Sequence, residues 1–146
     1  MTGRRFVVYG PAVGKQRPRF NQATGRVYTP QKTLRFEDRV RAAWRDAGAA
    51  HLGDGPLTMT VEVVCPRPAV HWRVNGELSA AGNRSPVPCK TPDLDNVLKG
   101  ISDSCNGLAY RDDKQIVDVR ITRRWGGPRE PEHVVVELDE WREQAA

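Results

Sequence analysis

One stretch of this sequence, Lys90 to Val119, holds six of the chain's eighteen Asp and Glu residues. Four of them come as close pairs, Asp93 with Asp95 and Asp112 with Asp113. Carboxylates gathered around one point repel each other unless a cation lies between them, and hard oxygen donors suit Mg2+ or Mn2+. The same residues also have a plainer explanation. Asp at a helix N-terminus is favoured by the helix dipole, Asp95 and Lys99 have the spacing of an ordinary i,i+4 ion pair, and Asp-Asp before a strand is common turn chemistry. Spacing alone leaves both readings open.

The elements that must place these side chains are legible around them. Leu94, Val97, Leu98, Ile101, Cys105 and Leu108 make one apolar stripe of helical period. Asp95, Asn96, Lys99, Asp103 and Asn106 fall on the opposite side, with Asp95, Lys99 and Asp103 stepping four residues at a time. Thr91 is the expected cap, with Pro92 at the first helical position and Gly107 as the stop. Asp112 and Asp113 then lead into Ile116 to Ile121, which reads as a strand. Packed beside the helix, that strand is expected to bring carboxylates of the helix start and the strand start together.

Elsewhere the pattern is simpler. Arg5 to Gly10 reads as a strand closed by Gly10-Pro11. A basic segment follows, with Lys15, Arg17, Arg19 and Arg26 in a loop held off helix by Pro18. Such side chains either line a phosphate backbone or stay solvated. Phe20 and Tyr28 are suited either to stacking on unpaired bases or to packing beneath their own loop. A helix is expected over Gln31 to Ala49, burying Phe36, Val40, Ala43, Trp44 and Ala47, followed by a strand from Leu57 to Val63. Pro66 to Cys89 predicts no regular element, and its Arg67, Trp72, Arg73 and Arg84 either reach a substrate or belong to a solvated loop. His133 to Leu138 makes a last strand, and Trp141 is expected to dock on the body. The order of elements describes an α+β fold, a single domain over residues 1–146 with one mixed sheet, two main helices and a long Pro/Gly-rich loop at about 66–89.

Twenty-three Lys and Arg against eighteen acidic residues give a net charge of +5. With the carboxylates concentrated in one stretch, the remaining surface is more basic still, which favours a polyanionic partner, nucleic acid first. Cys65, Cys89 and Cys105 have no metal-binding spacing and read as free thiols in a reducing cytoplasm. His51, His71 and His133 are scattered and are expected on the surface or in loops. No signal peptide or long apolar run is legible, so no membrane is expected.

The run PDLDNVLKGISDSCNG followed by YRDDKQIVDV resembles the signature of the RusA family of Holliday-junction endonucleases, common in prophages. That signature is Asp-x-Asp-Asn, a Lys four residues after the second Asp, an Asp four further on, and then Asp-Asp-x-Gln and a hydrophobic residue. It is matched by Asp93, Asp95, Asn96, Lys99, Asp103, Asp112, Asp113 and Gln115. The strand ending in Gly-Pro, the Lys-Gln-Arg-Pro-Arg run and Val-Tyr-Thr-Pro before the first helix are similar as well. Thr91, between Lys90 and Pro92, and the length of the 66–89 loop are departures.

The resemblance implies a structure-selective endodeoxyribonuclease that resolves four-way DNA junctions by paired cuts, with Mg2+ as cofactor and Mn2+ able to substitute. It implies Asp93, Asp95 and Asp113 as metal ligands and Lys99 as the group that stabilises charge in the transition state. DNA contacts are expected from Lys15, Arg17, Arg19, Arg73 and Lys90, and a C2 homodimer is implied. Two alternatives share the same residues: a metal-dependent nuclease acting on flaps or other branched DNA, and a non-catalytic DNA-binding module.

Overall fold

Apolar residues alternate through Phe6 to Val8, Leu57 to Val63 and Val134 to Leu138, and in each run every second side chain is buried. A period of two is what a sheet covered on one face demands. The computed structural model describes residues 4–144. Its elements are β1 (Arg4–Tyr9), a hairpin of β2 (Arg19–Asn21) and β3 (Arg26–Tyr28), helix α1 (Gln31–Asp46), β4 (Leu57–Cys65), the short helix α2 (Ala80–Asn83), helix α3 (Leu94–Cys105), β5 (Ile116–Trp125) and β6 (His133–Glu140).

The main sheet runs β1-β6-β4-β5. Strand β6 is antiparallel to both its neighbours, while β4 and β5 are parallel. It is the mixed sheet of an α+β fold, as expected. A parallel pair needs a crossover connection, and α3 lies within it. The helix carrying Asp93, Asp95, Lys99 and Asp103 is thereby obliged to lie over the sheet close to the start of β5.

Helices α1 and α3 turn Phe36, Val40 and Trp44, and Val97, Ile101 and Cys105, into one core with Phe6, Val8, Met59, Val61, Val134, Val136 and Leu138. Phe6 meets Trp44 edge-on with ring centroids 5.6 Å apart. Burying each of the larger side chains contributes about 1.5–3 kcal/mol. Cys65 and Cys105 are buried free thiols, and Cys89 is exposed. Among the described residues no helix is long and apolar enough to cross a membrane.

The structure departs from expectation in several places, and Ala47, expected in the buried stripe, is exposed just beyond the end of α1. Helix α3 starts at Leu94 with extended Asp93 as its cap residue, later than the Thr91 cap. The Arg123 guanidinium, reaching from β5, donates to the carbonyls of Lys90 and Pro92 and holds that segment outside the helix. The basic loop contains the β2–β3 hairpin. The 66–89 segment is folded, with a 3-10 turn at Ala69–His71, helix α2 and a bridge between Trp72 and Leu78. Its Arg67 lies against the rings of Trp72 and Trp125 and donates to the Gly82 carbonyl at 3.0 Å, while the Trp125 indole donates to Ser85 O at 2.9 Å. His71 is buried there, edge-on to Trp125, rather than lying on the surface. Finally, β6 continues to Glu140 and Trp141 stays 42% exposed, not docked.

Candidate active site

Once its apolar stripe is buried, α3 presents Asp95, Asn96, Lys99 and Asp103 outward, and the basic segment after β1 folds over that face. Together with Gly14, Lys15, Arg17 and Arg19 they line an open cleft of about 900 Å3. The segment is held along its length. Arg39 donates to Tyr9 O at 2.6 Å and Pro11 O at 2.7 Å, Lys15 N–H to Asn96 O at 3.0 Å, and Gln16 N–H to Thr33 Oγ1 at 3.3 Å. Gly14 presses so closely on α3 that a Cβ there would stand 3.0 Å from Pro92 Cβ and 3.3 Å from Asn96 Cβ.

Among the described residues, the carboxylates at the helix start make neither a capping bond nor an ion pair. Asp93 occupies the cap position, yet its side chain accepts no capping hydrogen bond. Asp95 and Lys99 form no ion pair, and neither do Lys99 and Asp103; among the described residues Lys99 has no salt-bridge partner. The ion-pair part of the plainer explanation is therefore not realised, while Asp95 does stand in the first turn of α3, where the helix dipole favours a carboxylate.

At the far end of the helix a rigid turn presents the second pair. Gln115 is buried and fully used: its Oε1 accepts from the N–H groups of Arg111 and Asp112, each at 2.9 Å, and its Nε2 donates to Gly53 O at 2.8 Å and Gly55 O at 2.9 Å. Asp112 Oδ1 accepts from Lys114 N–H at 2.9 Å, and that bond lowers its pKa. Asp112 thus caps the turn. Asp113 is left against Asp112 and Asp103, and its pKa is raised, first by burial and then by those two neighbours.

The expected meeting of Asp93, Asp95 and Asp113 is not what these positions give. Asp113 lies against Asp103, which is eight residues beyond Asp95 and so ~12 Å farther along the helix axis. Among the described residues, no three His, Cys, Asp or Glu side chains converge to hold a metal ion. By chemical type the donors suit a hard cation, all carboxylate with no thiolate or imidazole among them. By position Asp95 lies at one end of α3 and Asp113 near the other.

Arg17 and Arg19 are exposed in the cleft, as a phosphate contact requires. Arg73 and Lys90 are exposed but do not line it. Lys15 lines it with its ammonium engaged, 2.5 Å from Asp103 Oδ2 and 3.4 Å from Glu37 Oε1. Its pKa is raised, chiefly by the hydrogen bond to Asp103, against the opposing effect of burial. Phe20 is 63% exposed and Tyr28 is exposed too, so neither packs beneath its loop. Sequence reasoning missed Glu37. Glu37 lies inside the buried stripe of Thr33, Phe36, Val40 and Trp44, a face to which periodicity assigns no carboxylate.

A family profile described as Endodeoxyribonuclease RusA matches residues 9–138. A relative from Bacillus subtilis (strain 168), the uncharacterized protein YqaN, is 31% identical over 121 residues, covering 82% of this chain and 85% of the relative.

Proposed function

The chain belongs to the RusA family of endodeoxyribonucleases, and from that premise we propose that it resolves four-way DNA junctions in the cytoplasm by Mg2+-dependent, paired phosphodiester hydrolysis. The observation that carries this reading is the cleft itself. Arg17 and Arg19 line it together with Asp95 and Lys99, so a groove that attracts phosphate also holds a carboxylate, Asp95, that enters no ion pair among the described residues.

Hydrolysis of a phosphodiester needs a nucleophilic water, a neutralised phosphate and help for the leaving oxygen. Asp93 and Asp95 at the helix start, with Asp113 in the turn beyond the other end of α3, are the oxygen donors proposed for a Mg2+ ion, and they would have to draw together to hold it. Such an ion would activate water and offset phosphate charge, and Mn2+ shares its preference for oxygen donors. The chain's own groups do the rest. Arg17 and Arg19 grip the backbone, each guanidinium able to offer two donors to one phosphate. Arg73 and Lys90 would extend that grip outside the cleft. Lys99, unpaired and on the same helical face as Asp95, is placed to stabilise charge that builds on the phosphorus oxygens. Gln115 and Asp112 fix the turn from which Asp113 projects. Phe20 and Tyr28, exposed on a basic hairpin, are suited to stacking on bases freed at a branch point.

The deciding experiment compares a four-way junction, a flap and a linear duplex at equal concentration with Mg2+. Symmetric paired cuts in the junction alone support the proposal. Cleavage of flaps in preference makes the protein a different branched-DNA nuclease, and tight binding with no cleavage under any divalent metal makes it a binding module.

A further inference from the structure

Lys15 has the charge of a phosphate contact but not the surroundings of one. Its ammonium joins three elements, lying between Asp103 of α3 and Glu37 of α1 while its own backbone N–H is bonded to Asn96 O. Glu37 is only 7% exposed and its Oε1 accepts no hydrogen bond. A buried carboxylate is costly unless a cation stands beside it, and withdrawing that cation costs more than the pair contributes. Arg41 attends only the other oxygen, at 3.5 Å. An ammonium drawn out to DNA would therefore abandon both Glu37 and Asp103. The stem starts close against α3: at Gly100 the position of an added Cβ lies 3.9 Å from Lys15 Cβ and 3.7 Å from the Phe36 ring.

We infer that Lys15 is a positioning residue which, paired with Glu37 and Asp103, locks the Arg17–Arg19 segment onto α3 and leaves the phosphate to those two arginines. The inference rests on the nuclease reading above. It assigns Glu37, far from the acidic motif in sequence, a part in setting where a gripped phosphate lies relative to Asp95 and Lys99. Binding strength and reaction geometry then separate. Losing the lock leaves the arginines their charge but not their place, and a misplacement of about 1 Å can cost roughly 100-fold in rate.

The test uses the full chain with a four-way junction. Binding is measured without metal across a range of salt, and single-turnover cleavage with Mg2+ at saturating protein, for wild type, Lys15→Met and the double variant Lys15→Met/Glu37→Gln. The expected result is a wild-type salt slope for Lys15→Met with its saturated rate lowered roughly 10- to 100-fold. The double variant, relieved of the buried charge, should regain the melting temperature that Lys15→Met loses while remaining slow. A salt slope shallower by about one unit, or a wild-type rate at saturation, makes Lys15 an ordinary phosphate contact or a bystander and overturns the inference. So does a double variant that melts no higher than Lys15→Met. A wild-type protein that cuts no DNA defeats the nuclease reading instead, and the melting comparison still decides whether Lys15 compensates Glu37.

Discussion

The Gln115 side-chain amide donates to the Gly53 carbonyl at 2.8 Å, joining the turn before β5 to the loop before β4 across the chain. Together with its bond to Gly55 and the two N–H groups it accepts, this fixes the turn carrying Asp113. Gln115→Leu keeps approximate volume and removes every one of these bonds. It should destabilise the fold by about 1–3 kcal/mol, the cost of leaving buried polar groups unsatisfied. Urea unfolding checks this, and a midpoint equal to wild type would mean the turn holds without its amide.

At the helix start, Asp95→Asn should abolish cleavage while keeping or strengthening junction binding, because it removes negative charge beside phosphate. Lys99→Ala should also spare most binding and lower the rate by roughly 10²–10³, the scale for a missing transition-state donor. Gel-shift and single-turnover measurements on the same preparations separate the two effects. Wild-type cleavage by Asp95→Asn would remove that carboxylate from the mechanism.

What could be foreseen of this site divides along a physical line. The stripe from Leu94 to Cys105 repeats with helical period, so α3 and its polar face were legible from local sequence. The turn at Asp112 and Asp113 was legible for the same reason. Glu37 was not, because periodicity assigns residue types to faces and a carboxylate is assigned to solvent. Lys15, brought beside one oxygen by the fold, and Arg41, one turn along α1 beside the other, make its burial tolerable. The order in the 66–89 segment was hidden likewise. Its anchor is the pair Arg67 and Trp125, which are far apart in sequence, and no local pattern encodes their meeting.

The grip on DNA should be electrostatic and separable from the chemistry. Replacing Arg17 and Arg19 by Ala should weaken binding at every sequence and flatten the dependence of log K on log salt by roughly 0.9 unit for each phosphate no longer neutralised. Fluorescence anisotropy at several salt concentrations measures this slope. An unchanged slope would show that both arginines stay solvated in the complex.

Acid should attack a different point of the fold. Arg124 lies 2.7 Å from Glu130 and 3.1 Å from Glu62, and its hydrogen bond to Glu130 is the main reason that carboxyl's pKa falls to about 2 from 4.5. A pKa depressed on folding contributes stability above the unfolded value that disappears as pH falls through the folded one. Glu130→Gln should accordingly melt lower than wild type near neutral pH, with the gap closing between 4.5 and about 2. Thermal melts across that range test it, and a gap independent of pH would assign the loss to packing instead.

Assembly follows from the geometry of the product. Resolving a four-way junction takes two nicks placed symmetrically about its centre, in strands of like polarity, and the site proposed in the cleft over α3 would supply one of them per chain. The simplest arrangement is a C2 homodimer whose axis coincides with the pseudo-two-fold of the junction. Light scattering at micromolar concentration should then give about twice the 16.3 kDa chain mass. A supercoiled cruciform should be linearised within one binding event, because both sites act before the complex dissociates. A protein that stays monomeric on the junction and releases singly nicked circles cannot couple the two cuts. That outcome would leave a nuclease of the same family and remove the resolvase from the account.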